Sequence, residues 1–309
     1  MTLQLYGKTQ KRLLVSGIEG FTGRYIREEF EANGWIVHGF GTKEMALAGY
    51  HKADLLDLDA LRQLVLTIKP DAVVHLAGIS FPAHHTAMDF YNIHVAGTLN
   101  LLTALAEHGK GVKKVLLAST SNVYGANRDG VCRESVPLRP FNDYGVSKLA
   151  MEYMAWLWRE KLPIVIVRPF NYIGVGQAGR FLVPKIVSHY VAKKTIIELG
   201  NLHVARDFSD VRDVVKAYRL LVECPESKGA INVCSGRAVT VAKLIEMMNL
   251  IAGYEIKVTI NPGFVRKEEV ELLIGSRQRL DDLVGTCSWR SLEDTLEWMF
   301  KSAVSASLA

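Results

Sequence analysis

Short, continuously apolar runs alternate with helical patterns through the first half of this chain. The runs Leu13–Val15, Ala72–Leu76, Val115–Ala118 and Ile164–Val167 are too short for helices and contain almost no polar residues. Strands of this kind are buried on both faces, which is typical of a parallel sheet covered by helices. The sequence therefore predicts an α/β protein built on a doubly wound parallel sheet.

The alternation loosens after about Asn171, where glycines gather in a loop. The run Ile231-Asn232-Val233 is expected to return to the sheet, so the second unit interleaves with the first. That second unit is predicted to be a smaller, mixed α/β substrate domain. The predicted division is 1–170 plus roughly 208–234 for the sheet domain, and roughly 171–207 and 235–309 for the smaller domain.

A glycine-spaced loop, GIEGFTG at 17–23, follows the first predicted strand and opens a helix. Glycines in this setting let the backbone turn tightly and approach a pyrophosphate, which rests on the helix N-terminus. The context predicts a Rossmann-type dinucleotide site. Its expected residues in this loop are Gly17, Gly20, Phe21, Thr22 and Gly23.

Cofactor preference depends on the end of the second predicted strand, Trp35-Ile36-Val37, where a ribose-binding acid is expected about twenty residues after the loop. The chain has HGFGTK at 38–43, with no Asp or Glu. Thr42 and Lys43 could receive the 2′-phosphate of NADP. NADP(H) is therefore favoured and NAD(H) stays open, since Lys43 could instead be a solvated loop charge.

Tyr144 and Lys148 lie four residues apart on a predicted helix, after the hydroxyl cluster Ser119-Thr120-Ser121. This spacing puts both side chains on one helix face. A tyrosine that works as an acid–base near neutrality needs its pKa lowered by roughly three units, or about 4 kcal/mol. A nearby ammonium supplies roughly that amount at an effective dielectric of about 20, so we expect Lys148 to lower the pKa of Tyr144. The predicted chemistry is hydride exchange between a nicotinamide and a carbon bearing oxygen.

Spacing alone does not single out this pair, because Tyr190 and Lys194 are also four residues apart. Only Tyr144 follows a strand that ends in a hydroxyl cluster, and the second pair is expected on a surface helix. The plain alternative for Tyr144 is an ordinary half-buried aromatic residue.

Together these motifs make the chain resemble the extended short-chain dehydrogenase/reductase family over nearly its full length. Four further segments carry the resemblance: ADLLD at 53–57, LAG at 76–78, NIHVAGTLNLL at 92–102 and STSNVYG at 119–125. Thr120 matches the family's catalytic hydroxyl residue, with Ser119 and Ser121 as substitutes or supports. Lys148 would also hold the nicotinamide ribose. Further cofactor contacts implied by the resemblance are Asp54 and Leu55 by the adenine, and Leu76, Ala77, Gly78 and Pro169 along the dinucleotide.

Asn122 narrows the reaction, because it stands where dehydratases of this family carry a Glu and an epimerising synthase carries a Cys. An amide has no accessible basic state near neutrality, so it cannot remove a proton from carbon. A reductase remains, or a 4-epimerase that removes and returns hydride. The plain alternative is that Asn122 only makes hydrogen bonds within its loop, and in that case too a reductase or a 4-epimerase remains.

The segments RPFNYIGVGQ at 168–177 and GNLHVARDFSDVRDVV at 200–215 resemble the branch of the family that acts on guanosine-diphosphate sugars. The resemblance implies reduction of the 4-keto group of GDP-6-deoxy-4-keto-D-mannose to a GDP-6-deoxyhexose, with GDP-D-rhamnose expected. The alternatives are a nucleotide-sugar 4-epimerase with tightly bound NAD and a redox-sensing protein that binds NADP without turnover. Planar guanidiniums would grip the diphosphate, although Arg180 and Arg212 alone are expected to be solvated charges. The implied substrate-binding residues are Ser80, Thr120, Asn122, Asn171, Lys185, Arg206, Arg266 and Glu269.

Composition argues against other classes of function. The net charge is +5 over 309 residues without a dense basic block, so we expect no nucleic-acid partner. The apolar runs are too short to span a bilayer, and no signal peptide is expected, which predicts a cytoplasmic protein. The four cysteines are scattered, so no metal site is expected.

A homodimer is expected as well. Met151, Met154, Ala155 and Trp158 form an apolar stripe on the Tyr144 helix, which is predicted to run to about Lys161. In the resembling family this helix and the one at 88–108 pack against their twins, although a stripe that simply faces the core would need no partner.

Overall fold

The computed structural model describes residues 10–79, 86–125, 130–265, 270–286 and 288–308. The strands are β1 Arg12–Ser16, β2 Ile36–Gly41, β3 Tyr50–Lys52, β4 Ala72–His75, β5 Lys114–Ala118, β6 Val131–Cys132, β7 Ile164–Pro169, β8 Asn171–Ile173, β9 Ile196–Leu199, β10 Ala205–Asp210, β11 Gly229–Val233, β12 Ala238–Thr240, β13 Lys257–Ile260 and β14 Leu272–Gly275. The helices are α1 Phe21–Ala32, α2 Leu58–Ile68, α3 Ala87–Tyr91, α4 Thr98–His108, α5 Asp143–Trp156, α6 Leu182–Val191, α7 Val211–Glu223, α8 Val241–Ala252, α9 Gln278–Val284 and α10 Leu292–Leu308. A π-helical segment covers Asn92–Gly97, and short 3₁₀ turns cover Ser121–Tyr124 and Pro262–Phe264.

The main sheet has seven parallel strands in the order β11-β7-β5-β4-β1-β2-β3. Its strand order reverses between β1 and β4, which is where doubly wound sheets bind ligands. The predicted α/β class and Rossmann-type sheet are confirmed, and so is the return of Ile231–Val233 to the sheet as β11.

Helices cover both faces of this sheet. Apolar residues of α1 and α7 pack on one face around Phe30, Val214 and Leu221, while α2, α4 and α5 pack on the other around Leu61, Leu101 and Met151. Burial on both faces explains why the strands read as continuous apolar runs in the sequence.

A second, mixed sheet lies beside the carboxyl ends of the first. Strand β10 pairs with β8 and β14 in parallel and with β12 antiparallel, and β14 also pairs with β6. The apolar face of α6 packs with α8 and α10 around Ile186, Leu244 and Leu296. This sheet includes 131–132 and 208–210, which the predicted division assigns to the first domain, so the two units interleave more finely than expected. The division itself stays a prediction.

Helix α1 begins within the glycine loop at Phe21, with Gly20 as its N-cap. Two other helices differ from their predicted form. Helix α5 ends at Trp156, and turns carry the chain on to Lys161. The predicted long helix at 88–108 is helical as expected, but the π segment at Asn92–Gly97 interrupts its α-helical pattern.

The apolar stripe on α5 faces the protein core, which is the plain alternative that the sequence left open. Met151 and Ala155 are fully buried beneath the main sheet, and Met154 and Trp158 pack against the same core. The stripe therefore stabilises the fold, and a different face of α5 is exposed.

A buried carboxylate holds the second sheet together. Asp207 on β10 accepts hydrogen bonds from the backbone N–H groups of Ser235, Gly236 and Gly275 and from the Ser235 hydroxyl, at 2.6 to 3.4 Å. Burial raises its pKa, and these hydrogen bonds oppose the rise. The carboxylate satisfies the buried donors of Ser235 and Gly275, which would otherwise lack an acceptor.

Asp207→Ala should therefore destabilise the protein strongly. The change leaves buried N–H groups without an acceptor, at a cost of about 3 kcal/mol in the free energy of unfolding. Urea denaturation followed by circular dichroism measures the effect. Asp282→Ala is the control, because Asp282 is an exposed aspartate that accepts one surface hydrogen bond from Gln278. Equal urea midpoints for the two variants would contradict the assignment.

Candidate active site

A cleft of about 1400 Å³ lies between the carboxyl ends of the main sheet and the second sheet. One wall comes from the loops after β1, β4 and β5, and the other from β8, α6 and β10. Most residues predicted for the site line it: Gly17, Gly20, Phe21, Thr22, Gly23, Lys43, Leu76, Ala77, Gly78, Thr120, Asn122, Tyr144, Lys148, Pro169, Asn171, Lys185 and Arg206.

Six predicted residues are not among them. Thr42 is exposed at the end of β2, and Leu55 is buried in the core between α2 and α4. Asp54 accepts a hydrogen bond from the Leu56 N–H at 2.9 Å and so shapes the turn before α2. Ser80, Arg266 and Glu269 lie outside the described residues.

The glycine loop has the geometry of a phosphate cradle. Gly17 has φ +70°, and a Cβ at this position would lie 2.9 Å from the Ala77 Cα. A Cβ at Gly23 would lie 2.4 Å from the Ile18 carbonyl oxygen. These glycines bring β1, the loop after β4 and the start of α1 together more closely than a side chain allows, which leaves the helix N-terminus open to a pyrophosphate. The residues present fit a dinucleotide.

Tyr172 joins this loop to the second sheet. Its hydroxyl and the Thr22 hydroxyl are 2.8 Å apart, and its ring stacks on Phe21 with a centroid separation of 6.1 Å. Tyr172 carries no local sequence signal for this role, because the contact spans 150 residues.

Helix α5 presents Tyr144 and Lys148 to the cleft. Asn142 caps the helix by accepting the Gly145 N–H at 2.8 Å, which fixes the first turn. The Lys148 ammonium donates to the Ala118 carbonyl at the tip of β5 at 2.8 Å. Burial lowers the pKa of Lys148 to about 8, and the Glu152 carboxylate opposes that shift.

The expected lowering of the Tyr144 pKa is wrong in this structure. Burial raises the pKa of Tyr144 to about 12, while a hydrogen bond with Thr120 lowers it and Tyr172 raises it further. Desolvation of the phenolate outweighs the neighbouring groups. Tyr144 therefore keeps its proton near neutral pH, which is the state required of a proton donor.

Thr120 is held by Asn122. The backbone N–H of Asn122 donates to the Thr120 Oγ1 at 3.2 Å, and its side-chain amide donates at 3.3 Å. A hydroxyl that accepts two hydrogen bonds directs its single proton toward a third group. Asn122 thus makes the plain loop contact considered from the sequence, and Thr120 is left to donate toward Tyr144 or a substrate oxygen.

Beneath the site lies a buried ion pair. Glu152 accepts Ser119 Oγ at 2.5 Å and both Arg168 Nε and Nη2, the latter at 2.6 Å. Arg168 also donates to the Tyr124 hydroxyl at 3.1 Å. Ser119 is therefore a support rather than a substitute for Thr120.

Two neutral histidines fix the surrounding loops. His94, in the π segment, accepts the Ile79 N–H at 3.1 Å through Nε2 and lies 2.8 Å from the Ser147 hydroxyl through Nδ1. Burial lowers the pKa of His94 to about 2 and that of His75 to about 3. Both histidines stay uncharged at physiological pH and hold neighbouring segments together through hydrogen bonds.

The far end of the cleft is cationic and aromatic. Lys185 donates to the Glu198 carbonyl at 2.8 Å and lies 4.4 Å from the centroid of the Phe264 ring. Arg206 lines the same end and donates to its neighbour's carbonyl at 2.9 Å. Phe264 and Asn201 were missed from the sequence, because single residues in irregular loops carry no periodic signal.

The second Tyr–Lys pair is distinct. Tyr190 is buried in the α6–α8 core, where its hydroxyl donates to Asn249 at 2.6 Å, and Lys194 lies beyond the end of α6. The expected surface position is wrong for Tyr190.

Across the described part of the chain, no cluster of three or more His, Cys, Asp or Glu side chains is arranged to hold a metal ion. Within the same residues, no helix has the length and apolar character to cross a membrane.

Comparison with known proteins agrees with this geometry. The profile of the NAD dependent epimerase/dehydratase family matches residues 13–234. The GDP-6-deoxy-D-talose 4-dehydrogenase of Aggregatibacter actinomycetemcomitans is 32% identical, over 94% of this chain and 97% of that protein. The GDP-6-deoxy-D-mannose reductase of Pseudomonas aeruginosa is 34% identical, over 89% of this chain and 91% of that protein.

Solved structures give the same picture. A Burkholderia cenocepacia protein provisionally named an epimerase is 46% identical with a TM-score of 0.90, over 96% of this chain and 98% of that chain. The Pseudomonas aeruginosa protein RMD, complexed with NADPH, is 31% identical with a TM-score of 0.85, over 97% and 99% of the two chains. The chain therefore belongs to the NAD dependent epimerase/dehydratase family, the extended short-chain dehydrogenase/reductases, and is an NAD(P)-dependent oxidoreductase.

Proposed function

We propose that this protein reduces the 4-keto group of GDP-6-deoxy-4-keto-D-mannose to GDP-D-rhamnose. The observation that carries the proposal is the joint placement of Tyr144, Lys148, Thr120 and Asn122 in one cleft, without a Glu or Cys at position 122. Such a set transfers hydride and proton at a carbinol carbon and has no base for carbon-acid chemistry.

The glycine loop at 17–23 would hold NAD(P)H, which would supply the hydride for carbon 4. Thr120 donates a hydrogen bond to the keto oxygen and holds it beside the phenol. Tyr144, protonated at neutral pH, gives its proton to that oxygen as it becomes an alcohol. Lys148 in its charged form stabilises the phenolate left behind.

The sugar nucleotide would lie toward α6 and β10. Asn171 and Arg206 line the cleft there, and Lys185 lies in the first turn of α6. Arginine and lysine at this end suit a diphosphate. Both relatives named above act on GDP-6-deoxyhexoses. The hexoses of these two relatives differ only in configuration at carbon 4, so reduction of the same 4-keto sugar gives either one. GDP-6-deoxy-D-talose is therefore the second candidate product.

A 4-epimerase with tightly bound NAD is the rival function, favoured by the name of the Burkholderia structure. An epimerase returns the hydride to the same sugar and consumes no external reductant. The absorbance spectrum of the purified protein and its demand for NAD(P)H separate the two.

Purified enzyme should oxidise one NAD(P)H per GDP-6-deoxy-4-keto-D-mannose, and Tyr144→Phe should lose at least about a hundredfold in kcat, because the proton donor is gone. Loss of absorbance at 340 nm measures the rate, and NMR of the product distinguishes rhamno from talo configuration. Tyr153→Phe is the matched control, since Tyr153 lies on the same helix outside the cleft and the change keeps an apolar ring on the proposed dimer face. A Tyr144→Phe enzyme of near-normal rate, or turnover without NAD(P)H consumption, would reject the proposal.

The rate of reduction should fall as pH rises through about 8. Burial lowers the pKa of Lys148 to about 8, so its charge is present below that pH and lost above it. Tyr144 does not limit this range, because its pKa is raised to about 12. The measurement is kcat/KM for the ketone from pH 6 to 10. Lys148→Arg should be slower but should lack this limb, since arginine stays charged; a flat wild-type profile up to pH 10 would refute the role of Lys148.

A homodimer is part of the proposal. The exposed face of α5 and its end carries Val146, Tyr153 and Leu157, of which the last two are 65% and 76% exposed. The neighbouring helical segment adds Met88 and Leu99, at 62% and 39% exposure. Exposed apolar side chains on three packed helices, α3, α4 and α5, favour a second copy as the partner, because the same surface can meet itself about a two-fold axis.

Leu157→Glu should convert the dimer to a monomer, because the charge would lie in an apolar seam. Sedimentation velocity at micromolar concentration measures this. Leu250→Glu is the control: Leu250 is 84% exposed on α8, away from that face. A wild-type protein that is monomeric at this concentration would remove the dimer from the proposal.

A further inference from the structure

An acid from the glycine loop occupies the end of β2. Glu19 lines the cleft, and its carboxylate packs on Gly41: a Cβ at Gly41 would lie 2.1 Å from Glu19 Oε1 and 2.4 Å from Oε2. The missing side chain at Gly41 makes the room that this carboxylate fills. The strand end itself has no acid, so the neighbouring loop supplies one at the same place.

The carboxylate has an unused acceptor. Glu19 Oε2 is shielded from solvent and has no hydrogen-bond partner among the described residues. Tyr50 of β3 lies near it; burial raises the pKa of that phenol, and the charge of Glu19 adds to the rise. The Tyr50 hydroxyl does not satisfy Glu19, because it donates to the Lys43 carbonyl at 2.7 Å. A shielded carboxylate oxygen without a donor is costly, and a ligand hydroxyl would satisfy it.

We propose that Glu19 accepts hydrogen bonds from the adenosine ribose hydroxyls of the bound dinucleotide and disfavours a 2′-phosphate, so that the cleft prefers NAD(H). The acid expected at the end of the second strand does this work in other dinucleotide sites. In this protein Glu19 of the glycine loop takes the place of that acid. The inference rests on the dinucleotide site alone and not on the identity of the sugar.

Lys43 acts in the opposite direction at the same ribose. It is exposed on a flexible stem, so water screens its attraction for a phosphate. Glu19 packs on Gly41 with one carboxylate oxygen shielded from solvent, so its charge is screened less. Thr42, the other residue predicted to receive a 2′-phosphate, does not line the cleft. For a 2′-phosphate dianion, repulsion by the Glu19 carboxylate would therefore outweigh attraction by the exposed Lys43 ammonium.

The test is dinucleotide binding without any sugar, measured by the fluorescence of NADH and NADPH on titration. Wild-type protein should bind NADH about tenfold or more tightly than NADPH, as expected for a hydrogen bond to a charged acceptor plus repulsion of the phosphate. Glu19→Gln should reduce that ratio by about tenfold. Gly41→Ala should also reduce it, because the new methyl displaces the carboxylate while its charge remains.

Glu44→Gln is the matched control. Glu44 is an exposed acid of the loop after β2 that pairs with Lys52, and its loss should leave the ratio unchanged. Wild-type preference for NADPH, or an unchanged ratio in both folded Glu19→Gln and Gly41→Ala proteins, would overturn the inference. Because no sugar is present, these results stand apart from success or failure of the proposed reduction.

Discussion

The buried pair of Glu152 and Arg168 determines how the rest of the site is arranged. Glu152 stands one helical turn beyond Lys148 on α5, Ser119 lies at the end of β5, and Arg168 lies on β7. Three elements thus meet at one carboxylate, with contacts of 2.5 to 3.0 Å. Breaking such a pair by removing one partner costs about 3–5 kcal/mol, because the other charge is left buried. The pair positions α5 relative to the carboxyl ends of β5 and β7. It thereby positions Tyr144 and Lys148, which lie on the same helix.

Burial governs the protonation states in the cleft more than the pairing of charges does. The same desolvation raises the pKa of Tyr144 and lowers that of Lys148, because both charged forms lose water. A protonated phenol and a lysine with a pKa of about 8, both lining one cleft, suit proton donation to a developing alkoxide. Glu152 limits the effect on Lys148 by raising its pKa, so the structural ion pair also has an electrostatic consequence at the site.

The two ends of the cleft are built differently. The end at the glycine loop, where the proposal places the dinucleotide, is formed by tight backbone contacts, and Glu19 is the acid that lines it. The other end is formed by cationic and aromatic side chains of the second sheet and α6. Hydride transfer requires the two ligands to meet at Tyr144, which lies where the loops of both sheets converge.

The sequence by itself determined the sheet, the glycine cradle and the Tyr144–Lys148 pair. Each of these depends on local pattern: apolar runs of strand length, glycines at fixed spacing, and two side chains one helical turn apart. Tertiary structure alone decided the direction of the Tyr144 pKa, the inward orientation of the α5 stripe, and the placement of Tyr172 and Glu19 at the cleft. Those features depend on residues up to 150 positions apart and on how much water each group loses on folding, which a one-dimensional pattern does not record.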